Sequence, residues 1–191
     1  PPTTPPPPPP PTPPQHSSAA SDVYKRQHQS RVDGLPALVL TVSDGVSAGT
    51  REDRSGEVVA ARLAGLGFEV RREVVADEPD DIARIVAGAA DTGTRLVVTS
   101  GGTGLGPRDR TPEGVSSIVD YFVPGFGEAM RAEGRTHTPL ASLSRSLGAV
   151  RGQTLILCVP GSPKGALESL DAVDMVLAHT LDTLAGRTAH T

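Results

Sequence analysis

Residues 96 to 114 read LVVTSGGTGLGPRDRTPEG. A short apolar run ends in six residues that contain four glycines (Gly101, Gly102, Gly104 and Gly106), and Arg108 and Asp109 follow at once. Glycines let successive backbone N–H groups turn toward one point, which makes a cradle for an anion, most often a phosphate. A helix that starts just beyond adds the positive end of its dipole. Two standard phosphate loops do not match. Gly101 and Gly106 have the P-loop spacing, but Pro107 and Arg108 stand where Lys and Ser/Thr belong. In Gly102, Gly104 and Gly106 the last interval of the dinucleotide fingerprint is one residue short. A flexible turn is the competing reading of the glycines alone. Their neighbours add chemistry: Arg108 offers a bidentate donor to a phosphate, and Asp109 beside a bound polyphosphate would hold Mg²⁺. A surface Arg108–Asp109 pair, or Asp109 as a helix cap, competes with that.

Such a loop must be held by something rigid. ALVLTV (37–42) is a continuous apolar run and predicts a strand buried on both faces. SGEVVAARLAGLG (55–67) predicts a helix stopped by glycines, FEVRREVV (68–75) a second strand, EPDDIARIVAGAAD (78–91) a helix with acids in its first turn, and RLVVTS (95–100) a third strand. After the glycine loop, Thr111 and Pro112 open another helix, with Thr111 as its cap. Segments 124–134 and 138–150 read as shorter helices, and QTLILCV (153–159) as a buried strand. A long final helix runs from its cap Ser162 to Gly186. Strands alternating with helices predict an α/β fold of three layers, a mostly parallel sheet with helices on both faces. Ligands of such sheets lie beyond the carboxyl ends of the strands, where the glycine loop falls.

Composition narrows the function further. Eleven of the 19 prolines fall in the first 34 of 191 residues, and aliphatic residues are almost missing there. This predicts a disordered Pro-rich tail over 1–34 and one domain over 35–191. The piece SDVYKRQ resembles an assembly scar, and the proline tract has a competing reading as a ligand for aromatic-grooved domains. The tail has no apolar run of signal-peptide length, and no stretch approaches a membrane span. The tail carries one net positive charge (Lys25, Arg26 and Arg31 against Asp22 and Asp33), which leaves the domain at −5 of the chain's −4. An acidic domain with 3% aromatic residues argues against nucleic-acid binding. The one cysteine, Cys158, sits in a strand and reads as a buried core residue; a lone thiol fits a reducing cytoplasm. His137 and His179 have no partner at metal spacing and read as structural or exposed.

TSGGTGLGPRDRTPEG (99–114) resembles the signature of the MogA/MoaB family of molybdopterin adenylyltransferases, similar to the plant and gephyrin G domains. TVSDGVSAGTREDRSG (41–56), VADEP (75–79, with Ala76 in place of the usual proline), VPGFGEAMR (123–131), LSRSLGAVRGQTLI (143–156) and VPGSPKGA (159–166) match in the same order. The resemblance implies Mg²⁺-dependent transfer of AMP from ATP to the terminal phosphate of molybdopterin. It implies a homotrimer or hexamer, and a molybdate insertase of the MoeA type that takes the product. By position it implies catalytic and metal roles for Asp77 and Asp109 and a phosphate cradle of Gly101, Gly102, Thr103 and Gly104. Ser43 and Asp44 fall near the nucleotide or metal, and Ser162 and Lys164 face a phosphate or an anionic pterin. Asp44 and Asp53 also read as loop-organising side chains, Ser162 as a cap alone, Lys164 as an exposed charge, and Glu78 as a first-turn helix acid. A MoaB-type carrier that binds molybdopterin or a nucleotide without turnover is the alternative.

Overall fold

The computed structural model describes residues 32–187. Thirteen elements follow in chain order: β1 (Pro36–Val42), α1 (Asp44–Ser47), α2 (Arg54–Gly65), β2 (Glu69–Val75), α3 (Pro79–Asp91), β3 (Leu96–Ser100), α4 (Thr111–Ser116), β4 (Tyr121–Phe122), α5 (Pro124–His137), a 3₁₀ turn (Pro139–Leu143), β5 (Leu147–Arg151), β6 (Thr154–Val159) and α6 (Pro163–Leu184). The six strands form one sheet in the order β2-β1-β3-β6-β5-β4. The first four are parallel; β5 pairs antiparallel with β6, and β4 pairs antiparallel with β5.

The strand sequences follow from that order. β1, β3 and β6 are the interior parallel strands and are buried nearly throughout, which is why they read as unbroken apolar runs. β2 lies at an edge and keeps exposed charges such as Arg71. Two apolar cores flank the sheet. On one face Val59 and Leu63 of α2, Phe126 and Met130 of α5, and Leu170, Val173 and Leu177 of α6 pack against Val39, Val98 and Leu157. On the other, Ile82 and Val86 of α3 and Val115 of α4 pack against Leu38, Leu40, Val97 and Ile156. The three-layer, mostly parallel α/β architecture expected from the sequence is the one observed. Cys158 is fully buried in the second core, and burial pushes its thiol up to about 12, so it is no nucleophile at neutral pH.

Three expectations are corrected. Segment 138–150 is not a helix but a 3₁₀ turn followed by β5. Its apolar residues alternate, with Ala149 in one core and Val150 in the other. A two-residue turn with Gly152 at φ +56 pairs the segment with β6. Thr111 is the first residue of α4 rather than its cap; it is fully buried and donates its hydroxyl to the Gly101 carbonyl at 2.8 Å. The domain also begins earlier than residue 35: Val32 is buried in the first core, and Gly34 N–H donates to Gly67 O. The Pro-rich tail expected before it lies, over 1–31, outside the described residues.

Candidate active site

The carboxyl ends of β1, β3 and β6 and the loop after β2 open into one cleft of about 1270 Å³. Ser43, Asp77, Gly101, Gly102, Thr103, Gly104, Asp109 and Ser162 all line it. A pocket for a single small ligand is roughly 300–1,000 Å³, so this cleft has room for two.

The glycine loop is fixed at both ends. Gly101 has φ +114, and a Cβ there would lie 2.2 Å from the Val42 carbonyl oxygen, so only glycine fits against β1. Its N–H is already given to Val159 O. Gly101 therefore lines the cleft as a close-packing residue and offers no amide. The N–H groups of Gly102, Thr103 and Gly104 donate to no acceptor among the described residues, and these three make the cradle. Arg145 holds the loop from the other side. Its N–H donates to Thr103 O at 2.9 Å, its guanidinium donates to Gly104 O at 2.8 Å and to Asp109 O, and a third arm reaches Glu113 at 2.6 Å. Burial would raise the Glu113 carboxyl, but Arg145 outweighs this and holds it below its ordinary range. In the sequence Arg145 stands between two serines within the matching segment 143–156, and only tertiary packing brings it against the loop.

Asp77 and Asp109 flank this loop. A Cβ at Gly102 would strike Thr111 Oγ1 at 2.3 Å, with Asp77 Oδ1 3.4 Å away, and one at Gly104 would come within 2.7 Å of Asp109 Oδ2, so glycine at 104 leaves space for that carboxylate. Asp109 Oδ2 accepts from Gly106 N at 2.8 Å. Asp77 Oδ2 accepts from Asp44 N at 2.8 Å, and Asp77 N donates back to Asp44 Oδ1 at 3.0 Å. Burial raises the Asp77 pKa above its ordinary 3.8; the charges of Asp44 and Asp109 add to that, against the Asp44 N–H bond and the pull of Arg108. The result is an excess of negative charge at the loop. Among the described residues no group of three or more His, Cys, Asp or Glu could enclose a metal alone. Two hard carboxylates beside a phosphate cradle fit a divalent ion shared with phosphate oxygens, the usual manner of Mg²⁺.

The remaining candidates separate. Ser43 caps α1, accepting from Val46 N at 3.3 Å, and also accepts from Arg51 at 3.3 Å. Ser162 caps α6 through Gly165 N at 3.2 Å while lining the cleft. Arg108, Asp44 and Lys164 do not line it. The Arg108 guanidinium is bidentate, but to Asp44 at 2.9 and 3.1 Å, with a third bond to Glu78 at 2.8 Å. That pair holds the Asp44 carboxyl below its ordinary value. Glu78 is thus an ion-pair partner besides preceding α3. Lys164 is exposed and lies 3.7 Å from Glu168. The cation that faces the cleft from the first loop is Arg51, and Arg131 faces it from α5; both lie in segments that match the family, 41–56 and 123–131, but residue type alone singled out neither. Asp53 lines the cleft but is spent on the fold, accepting from Thr41 Oγ1, Gly56 N and Arg72. His137 pairs with Glu133 at 3.3 Å.

Residues 38–179 match the family model of a probable molybdopterin binding domain, and the chain belongs to that family. It is similar to the molybdopterin adenylyltransferase of Helicobacter pylori, 38% identical over 152 residues that cover 78% of this chain and 86% of that protein. It is 40% identical over 154 residues to the molybdenum cofactor biosynthesis bifunctional protein of Synechococcus elongatus, covering 80% of this chain but 48% of that protein, so the chain spans about half its length. Among solved structures, the molybdopterin biosynthesis enzyme MoaB of Thermus thermophilus matches with a TM-score of 0.75 and 49% identity, covering 80% of this chain and 97% of that one.

Proposed function

We propose that this chain is a molybdopterin adenylyltransferase of molybdenum cofactor biosynthesis, transferring AMP from ATP to the terminal phosphate of molybdopterin. The family and the named activity of its relatives support the class of reaction. The observation that carries the site reading is the meeting of Asp77 and Asp109 on one cleft, either side of the free amides of Gly102, Thr103 and Gly104.

In this reading an oxygen of the molybdopterin phosphate attacks the α-phosphorus of ATP, the α–β bridging bond breaks, and pyrophosphate leaves. No protein nucleophile is needed. The chain contributes position and charge: the loop amides hold phosphate oxygens, and Ser162 and the start of α6 face an anion. Asp77 and Asp109 would hold Mg²⁺, which when bound offsets the charge that develops on the leaving pyrophosphate. Arg51, rather than Arg108, is the side-chain cation placed to meet phosphate from the first loop. Arg108 would reach phosphate only by leaving Asp44 and Glu78. Thr111 and Arg145 are positioning residues for the loop.

The proposed setting is the cytoplasm, with a homotrimer or hexamer and an insertase that accepts the product. Tyr121 and Phe122 on the edge strand, about half exposed, are apolar surface that an assembly would cover; among the described residues no helix is long and apolar enough to cross a membrane. The test is incubation with Mg²⁺-ATP and molybdopterin, following pyrophosphate and adenylylated pterin. Wild type yields both. Tight binding of molybdopterin with no pyrophosphate would move the protein to the carrier reading.

A further inference from the structure

We propose that Glu168 is the residue that selects the pterin ring, by accepting hydrogen bonds from its 2-amino group and N3–H; the inference rests on the adenylyltransferase reading above. Glu168 stands in the second turn of α6 and lines the cleft. Its side chain is 19% exposed, and Oε1 is shut off from solvent with no hydrogen-bond partner. The groups that face it are His137 from the end of α5, with Nε2 at 3.4 Å outside hydrogen-bond geometry, and Lys164 at 3.7 Å, whose side chain is 78% exposed. His137 bonds to Glu133 instead, at 3.3 Å. A contact to an exposed lysine is worth little, whereas a buried carboxylate oxygen without a hydrogen-bond partner bears the cost of its lost hydration. A fold that retains such a group has a use for it outside its own stability.

The use is set by complementarity. An ionised carboxylate is acceptor-only and presents two oxygens side by side. The pyrimidine edge of a pterin presents two adjacent N–H donors and matches it. The corresponding edge of adenine presents one donor beside one ring acceptor, and a carboxylate would repel the acceptor. Glu168 thus discriminates between the two ring systems that the large cleft must sort. Met130 and Gly134 of α5, Thr138 between α5 and the 3₁₀ turn, and Leu140 of that turn line the same cleft. The terminal torsion of a glutamate is broad and soft, so either oxygen turns inward without moving α6.

The test is Glu168→Gln, nearly isosteric but presenting a donor where the pterin also donates, with Glu168→Ala beside it. In steady-state AMP transfer, the KM for molybdopterin rises about tenfold to a hundredfold, while the KM for Mg²⁺-ATP and kcat at saturating pterin stay within about twofold. The melting temperature of Glu168→Gln does not fall, since the buried Oε1 has no hydrogen bond to lose and its contact to the exposed Lys164 is worth little. A second readout is independent of turnover: fluorescence titration with pterin-6-carboxylate and with lumazine-6-carboxylate, which carries an oxygen in place of the 2-amino group. Wild type prefers the pterin by at least about tenfold, and Glu168→Gln loses the preference. An unchanged KM for molybdopterin, equal rises in both KM values, or no pterin-over-lumazine preference in the wild type would each overturn the proposal. If the wild type keeps the ring preference but turns nothing over, the adenylyltransferase reading fails and the role of Glu168 stands.

Discussion

Asp53, the N-cap of α2, and Asp77, just past the end of β2, are two carboxylates that line the same cleft, and the structure treats them in opposite ways. Each oxygen of Asp53 has a partner: Oδ1 accepts from Thr41 at 2.9 Å and Gly56 N at 2.8 Å, and Oδ2 from Arg72 at 2.7 Å. Burial pushes its pKa up, but these bonds outweigh burial and leave it below 3.8. Asp77 is also partly buried, yet accepts one backbone N–H and faces two further aspartates, and its pKa is raised. A carboxylate whose demands are met inside the chain belongs to the fold. One left with unbalanced charge beside free amides belongs to the site, and costs stability for it.

The comparison breaks most readily at the bench. The largest effect is expected for Asp77→Asn and Asp109→Asn, with AMP transfer falling at least about a hundredfold while the melting temperature stays at or above that of wild type. A lowered melting temperature with activity preserved would reverse the assignment. Asp53→Ala is the mirror case. Loss of a helix cap and its ion pair costs about 2 kcal/mol, roughly 4–8 °C for a domain of this size, while the kcat of the folded fraction is kept.

Gly101→Ala and Gly49→Ala sharpen the same distinction at the backbone. Both glycines have positive φ, but a Cβ at Gly49 meets nothing within 4 Å, whereas at Gly101 it strikes the Val42 carbonyl. Chemical denaturation should place Gly49→Ala at about 1 kcal/mol and Gly101→Ala well beyond it.

The smallest effect is the pH dependence. Ionised Asp77 has a raised native pKa, so it costs the native state stability above that value, and the cost vanishes as pH falls toward 3.8 and below. Asp53 has a lowered pKa, so its stabilisation is full above 3.8 and disappears as pH falls through the native value. The gain of Asp77→Asn and the loss of Asp53→Ala therefore both fade on acidification, with opposite signs. Melting temperatures between pH 7 and pH 3 check this; parallel curves would show that neither shift operates.

Much of the site was legible because its parts are local. The strand runs 37–42 and 95–100, the glycines that follow, the cap at Ser162 and the buried stripe of α6 are fixed by neighbours in sequence. β5 was not legible: a leucine and a valine three residues apart suit a helix as well as a strand, and only pairing with β6 decides. Glu168 looks like the exposed partner of Lys164 four residues earlier, until α5 covers one side of it. Arg108 carries the right fork for a phosphate, and only the fold brings Asp44, 64 residues away in the chain, into its grip. Arg145 lies in a segment that matches the family, but its grip on the loop was not legible, because its three acceptors come from other segments.

Resemblance to the family singled out Asp77, and the sequence by itself determined the layers, the cleft's place at the strand ends, and Asp109 beside a glycine loop. Those follow from periodicity, turn chemistry and residue type, which act over a few residues. The tertiary structure alone decided which charges are spent and which stay available: Asp53, Arg108 and Arg145 are consumed by partners distant in the chain, and Asp77 and Glu168 are left wanting. The reason is that burial and Coulomb interaction depend on separation in space, and long-range packing sets that separation.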